Sequence, residues 1–355
     1  MSTKPYLHSI TLNIGSDPEF FFAKAKTVKG KQKLVVIGAE KILPEEGITK
    51  KSYWQGRNSK ITIDGVQAEI NPAYDTCRAR HTNEMKSIFQ RIQKELKKHK
   101  DITIDWSPTV RVTRAEMNSL KDSNKEFGCD PSYSAYGEQM QFPDPYKHLY
   151  RWAGGHIHLG STYPGNAIDK LLRQPEKVIP IMDILVGNTC VLIDRDPGNK
   201  NRRKTYGRAG EYRTPPHGLE YRTLSNFWLR SNQLMSFVYG MSRLAVSIAA
   251  NEEISKMVLK AVKIDDIRKA INENDFELAQ KNFNKIRSII EDYAPHGDTL
   301  CKDNLAAFDY FVKKGSKFYF RQDPLKHWTT VKEGHADVGW ETFLQNKVTP
   351  QMLKK

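Results

Sequence analysis

Cysteine is scarce and scattered: Cys77, Cys129, Cys190 and Cys301 are the only four in 355 residues, and none forms a Cys-x-x-Cys pair. That spacing speaks against a thiolate zinc centre or a disulfide framework, and for a reducing compartment. Long apolar runs are missing too. No stretch approaches the ~18–20 residues of a membrane span, and Met1–Ile10 has no signal-peptide apolar core. The expectation is a soluble, cytoplasmic protein with no membrane partner. Neither Gly-x-Gly-x-x-Gly nor a Walker loop occurs, so any nucleotide would be held by side chains and metal. There is no low-complexity linker, and a chain of this length can bury a sizeable core as one large domain or two fused lobes.

Acidic residues are in deficit, with 41 Asp and Glu against 56 Lys and Arg, a formal net charge of +15. Such a field suits acidic partners, whether nucleotides, nucleic acid or another anionic polymer, without choosing among them. No zinc finger, RNA-recognition signature or helix-turn-helix accompanies it.

What the chain does have is a doubled tetrad. Glu-Tyr-Arg-Thr begins at Glu211 and again at Glu220, with Pro-Pro-His-Gly turn chemistry between the copies. Residues two apart in a strand share a face. The segment therefore predicts a hairpin with Glu211, Arg213, Glu220 and Arg222 on one side and Tyr212 and Tyr221 on the other. Carboxylates offer hard oxygen ligands to Mg²⁺, and guanidiniums clamp phosphate oxygens. The plainer reading is a cross-strand ladder of ion pairs.

Three further clusters follow the same period. Asp17-Pro-Glu19 places two acids on one side, and Gln67-Ala-Glu69-Ile-Asn71 places a carboxylate between two amides. Gly154-Gly155-His156-Ile-His158-Leu-Gly160 presents two imidazoles among glycines that allow close backbone approach. Each is weak alone. Together they describe one sheet face lined with Glu, His and Arg, suited to metal–phosphate chemistry.

The flanking pattern predicts strands over Ser9–Ala23, Leu34–Gly38, Lys60–Asn71, Ile102–Val112 and Ala153–Ser161. It predicts an amphipathic helix over Asp75–Lys98, a buried helix over Val178–Ile193 and a long helix over Asn226–Ala250. Thr113–Tyr150 and Asp194–Lys204 read as loops, Glu252–Tyr293 as mainly helical, and the part from Cys301, with His327, Trp328, His335 and Trp340, as mixed. Helices placed between antiparallel-looking strands indicate an α+β fold rather than a Rossmann sheet.

From Gly15 to Trp228 these motifs resemble the glutamine-synthetase-like carboxylate–amine ligases, and more closely the phage amidoligases of the COOH-NH2 ligase type 2 group. The residues that carry the resemblance are the acidic first strand, Glu69, the Gly-Gly-His-Ile-His-Leu-Gly strand and Gly-Leu-Glu-Tyr-Arg-Thr-Leu-Ser-Asn-Phe-Trp. The resemblance implies a glutamine-synthetase-like antiparallel sheet with a concave active-site face and helices packed behind it. It implies a catalytic core over residues 1–250, with a mostly helical extension over 251–355 packed on it. ATP and two or three Mg²⁺ or Mn²⁺ ions would be cofactors, and the location would be the host cytoplasm if the chain is phage-encoded.

By the same resemblance Glu19, Asp17, Glu69, His156, His158 and Glu220 would be metal ligands, with His158 also reaching phosphate. Arg222, Arg213 and Arg208 would grip phosphate or acyl-phosphate, and Glu69 or Glu211 would take a proton from the amine. The Asp17-Pro-Glu19 spelling departs from the Glu-x-Glu of the best-known relatives. Two rivals remain at this level: a metal-dependent hydrolase using His156 and His158, and a basic nucleic-acid-binding protein.

Overall fold

The computed structural model describes residues 12–28, 31–51, 58–75, 78–127, 132–138, 143–161, 163–293 and 302–328. Met1–Ile10, Cys77, Cys129, Cys301, His335 and Trp340 lie outside them. The strands are Leu12–Ser16 (β1), Glu19–Val28 (β2), Lys31–Ile37 (β3), Ile48–Lys51 (β4), Asn58–Asp64 (β5), Gln67–Asn71 (β6) and Ile102–Asp105 (β7). They continue with Thr109–Arg111 (β8), Tyr133–Ser134 (β9), Tyr150–Trp152 (β10), Ile157–Ser161 (β11), Glu211–Arg213 (β12) and Gly218–Tyr221 (β13). All pairings are antiparallel.

Two sheets result. One is ordered β1-β11-β13-β12-β9; the other is ordered β3-β2-β6-β5-β4, with β7 also on β2. The stretch expected as one β-rich run, Ser9–Ala23, divides between them at Asp17-Pro18. Proline has no N–H to donate to a ladder, so the chain leaves one sheet there and enters the other. Backbone bonds hold this seam: Glu19 N donates to Gly154 O at 2.9 Å and Ile70 N to Pro18 O at 2.9 Å. The expected single lined face is thus corrected to a junction of two sheets.

Phe20–Ala23 in the first half of β2 are apolar on both faces because both are covered there, while Ala25–Thr27 are exposed. Phe20 and Phe22 join the main core, while Phe21 packs into a second cluster with Val36, Val66, Val110 and Met117. The amphipathic helix forms over Arg78–Leu96 and buries Met85, Ile88, Phe89 and Ile92, the face its spacing marked. The expected strand Ile102–Val112 breaks at Pro108 into β7 and β8.

The buried helix over Val178–Ile193 is Pro175–Met182 continued through a π-helical turn, Asp183–Gly187, into Asn188–Val191. The long helix starts later than expected. Asn226–Arg230 is a 3₁₀ turn, Ser231 is extended at φ −160°, and its hydroxyl caps Asn232–Ala249 by accepting from Leu234 N at 3.3 Å. Neither expected loop is structureless: Thr113 caps a helix over Arg114–Ser119, and Gly198–Arg202 is helical. Helices over Glu252–Ala261, Ile264–Asn272, Phe276–Tyr293 and Lys302–Tyr319 complete the layer. The fold is mixed, with antiparallel sheets and helices. No described helix is long and apolar enough to cross a membrane.

Candidate active site

The register of the first sheet lays the chemistry in one row. Gly15 on β1 faces His158 on β11, His158 faces Glu220 on β13, and Glu220 faces Arg213 on β12. Because strand side chains alternate, this row shares one face. The doubled tetrad forms the expected hairpin, closed by Gly218 N donating to Pro215 O at 2.9 Å. Tyr221 points the other way and donates its hydroxyl to Asp183 Oδ1 at 2.7 Å. The Asp183 carboxyl, buried in the π-helical turn, is pushed up to about 7 by that burial.

Asp17 and Glu19, on either side of Pro18, serve two different clusters. Asp17 Oδ1 lies 3.0 Å from His156 Nδ1, and Oδ2 lies 3.2 Å from His158 Nε2. Glu220 Oε1 is 3.4 Å from His156 Nδ1. Ligand atoms of Asp17, His158 and Glu220 all fall within 4.8 Å of one another. Burial raises the Asp17 carboxyl, but the imidazoles of His156 and His158 outweigh it and hold the group well below the usual range. Burial lowers His156; at His158 the same penalty is overcome by Asp17, and the group is raised.

The second cluster joins Glu19, Asp64 and Glu69, again within 4.8 Å. Glu19 and Glu69 are direct partners across β2 and β6, and Asp64 ends β5 at the tight turn through Gly65. Glu19 accepts from Gly154 N and lies 3.5 Å from the Tyr206 hydroxyl. Asn71 donates to Glu69 Oε1 at 2.7 Å. Burial, then the neighbouring acids, pushes Glu19 and Glu69 well above the usual carboxylate range, and burial also raises Asp64.

Both donor sets fit a divalent cation, one with oxygen ligands alone and the other with an added imidazole. Asp17 Oδ1 and His158 Nε2 are buried without a well-aligned hydrogen bond, as atoms awaiting a cation would be. The two histidines differ. His156 has the Tyr206 hydroxyl 2.7 Å from Nε2, while its Nδ1, near Asp17 and Glu220, is buried without a well-aligned hydrogen bond like Asp17 Oδ1 and His158 Nε2. His158 turns Nε2 to the cluster and Nδ1 to His217 Nε2 at 2.9 Å. Both imidazoles thus turn one nitrogen to Asp17, and only His158 falls with Asp17 and Glu220 in a group whose ligand atoms lie within 4.8 Å.

The arginines divide as well. Arg213 binds Glu220 bidentately, at 2.8 Å from both Nε and a terminal nitrogen, and keeps part of its side chain exposed. Arg222 has no exposed surface; it donates to Glu220 and, at 3.4 Å, to the Tyr206 hydroxyl, with Nε 3.8 Å from Glu211. Arg208 is not brought to the clusters: its guanidinium bonds the carbonyls of Arg203 and Lys204. Glu211 is also spent, accepting from Ser132 Oγ at 2.6 Å and Arg208 N at 2.9 Å.

Asp64, Tyr206, His217 and Arg202 were missed from sequence. Asp64 had a signal, since Ile61-Thr62-Ile63-Asp64 alternates up to a glycine turn. Arg202 lies in the stretch Asp194–Lys204 that reads as a polar basic loop, Tyr206 lies just past it, and neither gave a signal. Arg202 is buried and donates to the carbonyls of Arg222, Thr223 and Leu224, fixing the chain just after β13. Arg203 is likewise buried on Ile271 O. Within the basic stretch from Arg195 to Arg230, Arg202, Arg203, Arg222 and Arg230 are internal, while Lys200 and Lys204 are exposed.

Two acidic clusters that could each hold a divalent cation thus lie beside a pair of guanidiniums. The family described as Phage phiEco32-like COOH.NH2 ligase-type 2 matches residues 144–330, more than half of the chain, and the protein belongs to it. It is by that membership a carboxylate–amine ligase, with a carboxylate and an amine as substrates. The match spans His156, His158, Glu220 and Arg222, while Asp17, Glu19, Asp64 and Glu69 precede it. No curated protein matches the chain.

Proposed function

We propose that the protein is an ATP-dependent carboxylate–amine ligase working through an acyl phosphate. The observation that carries this is the seam at Asp17-Pro18-Glu19, which sets two acidic clusters next to each other beside Arg213 and Arg222. Asp17, His158 and Glu220 would hold one Mg²⁺ or Mn²⁺ ion, and Glu19, Asp64 and Glu69 another. Such ions screen the negative charges of ATP and carboxylate and stabilise the transferring phosphoryl group.

The substrate carboxylate oxygen attacks the γ-phosphorus, the bond to the β–γ bridging oxygen breaks, and ADP leaves. The amine nitrogen then attacks the acyl carbon, and phosphate departs with the oxygen that had belonged to the carboxylate. Arg213, whose side chain is partly exposed, is the guanidinium that meets the transferred group; Arg222 holds Glu220 from beneath. Of the two carboxylates considered for the amine proton, Glu211 is walled in by Ser132 and the Arg208 backbone. Glu69, less buried and bonded at one oxygen by Asn71, would have to release the cation from its other oxygen to take the proton. Residues Asp17, Glu19, His156 and Glu220 are all buried, and this keeps water from the acyl phosphate.

With an ¹⁸O-labelled carboxylate substrate, label is expected in the released phosphate in proportion to amide formed. Amide without labelled phosphate would exclude the acyl-phosphate route.

A further inference from the structure

Behind the imidazole that faces Asp17 and Glu220 stands a second one, carried by the Pro-Pro-His-Gly turn of the hairpin. His158 Nδ1 and His217 Nε2 lie 2.9 Å apart, with 24° between the ring planes and 5.0 Å between their centroids. The turn is shaped to bring the second ring there. Gly218 N donates to Pro215 O at 2.9 Å, and Gly218 has φ +146°, which residues with a Cβ rarely adopt. A Cβ at 218 would collide with the Leu159 carbonyl oxygen, and one at 160 would lie 3.0 Å from the His217 carbonyl oxygen. With no side chain at either place, the turn lies down on β11. His217 therefore reaches His158 from a fixed backbone.

The sense of that bond follows from what the other nitrogen of His158 has to do. Nε2 lies 3.2 Å from Asp17 Oδ2 and belongs to the group formed with Asp17 and Glu220. To give a cation its lone pair there, the ring must carry its hydrogen at Nδ1. Nδ1 then donates, and His217 Nε2 accepts. The reverse arrangement would aim an N–H at Asp17 and shut the cation out. We propose that His217 is a positioning residue for the cation site: by accepting from Nδ1 it holds His158 in the one tautomer and ring orientation that can ligate. This rests on reading Asp17, His158 and Glu220 as a cation site. The other cluster, Glu19, Asp64 and Glu69, contains no imidazole and serves as an internal reference.

Mn²⁺ binding to the full-length protein, followed by electron paramagnetic resonance, tests this. In wild type, one bound ion should show spin-echo modulation from an imidazole nitrogen and the other should not. His217→Ala should weaken the nitrogen-bearing ion by roughly 10–100-fold, the usual cost of losing such an outer partner, and leave the other ion within about twofold. His217 is exposed, so the variant should keep the wild-type urea midpoint. His217→Gln, whose carboxamide oxygen can accept in place of Nε2, should recover most of the lost affinity. Unchanged affinity for the nitrogen-bearing ion in His217→Ala would overturn the assignment while the cation site stands. Equal weakening of both ions would overturn it too, since a merely structural loss acts that way, as would a His217→Gln protein no better than His217→Ala. If wild type binds no Mn²⁺, or binds it with no nitrogen modulation, the cation site itself falls and the positioning role with it.

Discussion

Arg222 and Arg213 both bind Glu220, yet only one of them reaches solvent, and the difference sets what each does. Removing Arg222 leaves Glu211 and Glu220 buried with less compensation, a loss of about 3–5 kcal/mol for a broken interior pair. Arg222→Met should therefore lower the urea midpoint sharply, so lost turnover in that variant would report on folding. Arg213→Met should unfold near the wild-type midpoint while phosphate release falls by roughly 10²–10³, the scale of one lost transition-state donor. Wild-type turnover in Arg213→Met would remove it from the chemistry.

His81 makes a separate residue-scale case, tied to the strand that leads into Asp17 through the Tyr239 hydroxyl, which also donates to Ser16 Oγ at 2.8 Å. His81 is buried, with Nδ1 3.0 Å from Ala73 O and Nε2 2.8 Å from the Tyr239 hydroxyl. Burial lowers it from the ordinary value of 6.5 to about 4. The unfolded chain binds this proton first as pH falls, so stability present above pH 6.5 is lost progressively between there and about 4. The interval corresponds to about 3 kcal/mol in total. Unfolding of His81→Gln measured at pH 7 and pH 5 should show a smaller pH slope than wild type; an identical slope would place the titration elsewhere.

At the scale of elements, the parts that sequence revealed are those whose information is local. The doubled tetrad fixes its hairpin because period two and Pro-Pro-His-Gly act within fifteen residues or so of chain. The face of Arg78–Leu96 is equally local, since its apolar spacing needs no partner to be recognised. What stayed hidden depends on where a strand goes. Asp17-Pro-Glu19 has the same alternation whether it continues one sheet or passes between two, so the seam was not legible, and with it the split of the acids into two clusters. The resemblance alone gives Arg208 and Arg213 the same role. Only the short helix Gly198–Arg202, which brings the carbonyls of Arg203 and Lys204 within reach, shows why the Arg208 charge is used locally. Tyr206 joins Glu19, His156 and Arg222 from positions 16 to 187 residues away in the chain, and no periodicity encodes that.

For the molecule as a whole, the site depends on helices that contribute no ligand. One continuous core runs from Leu12 through Leu159 and Leu219 to Ile254, Val258, Ile267, Phe283, Ile286 and Phe308. The helix Asn232–Ala249 sits at the centre of that arrangement, buried along nearly its whole length and packed on Arg78–Leu96 and Pro175–Met182 as well as on the C-terminal helices Glu252–Ala261 and Lys302–Tyr319. Polar ties cross the same boundary: Arg203 in front of β12 bonds Ile271 O, and Arg268 binds Glu138. Each large apolar side chain exposed would forfeit about 1.5–3 kcal/mol, and a whole domain holds only about 5–15 kcal/mol. Losing even a handful of those residues exceeds that margin. A chain ending at Ala250 should thus show no cooperative unfolding transition, and the full-length protein should melt in one step that includes the hairpin and the C-terminal helices. Calorimetry of both proteins decides it. A shortened chain that melts cooperatively and still binds Mn²⁺ would mean that the ligand clusters are held by the two sheets alone, with the C-terminal helices merely resting against them.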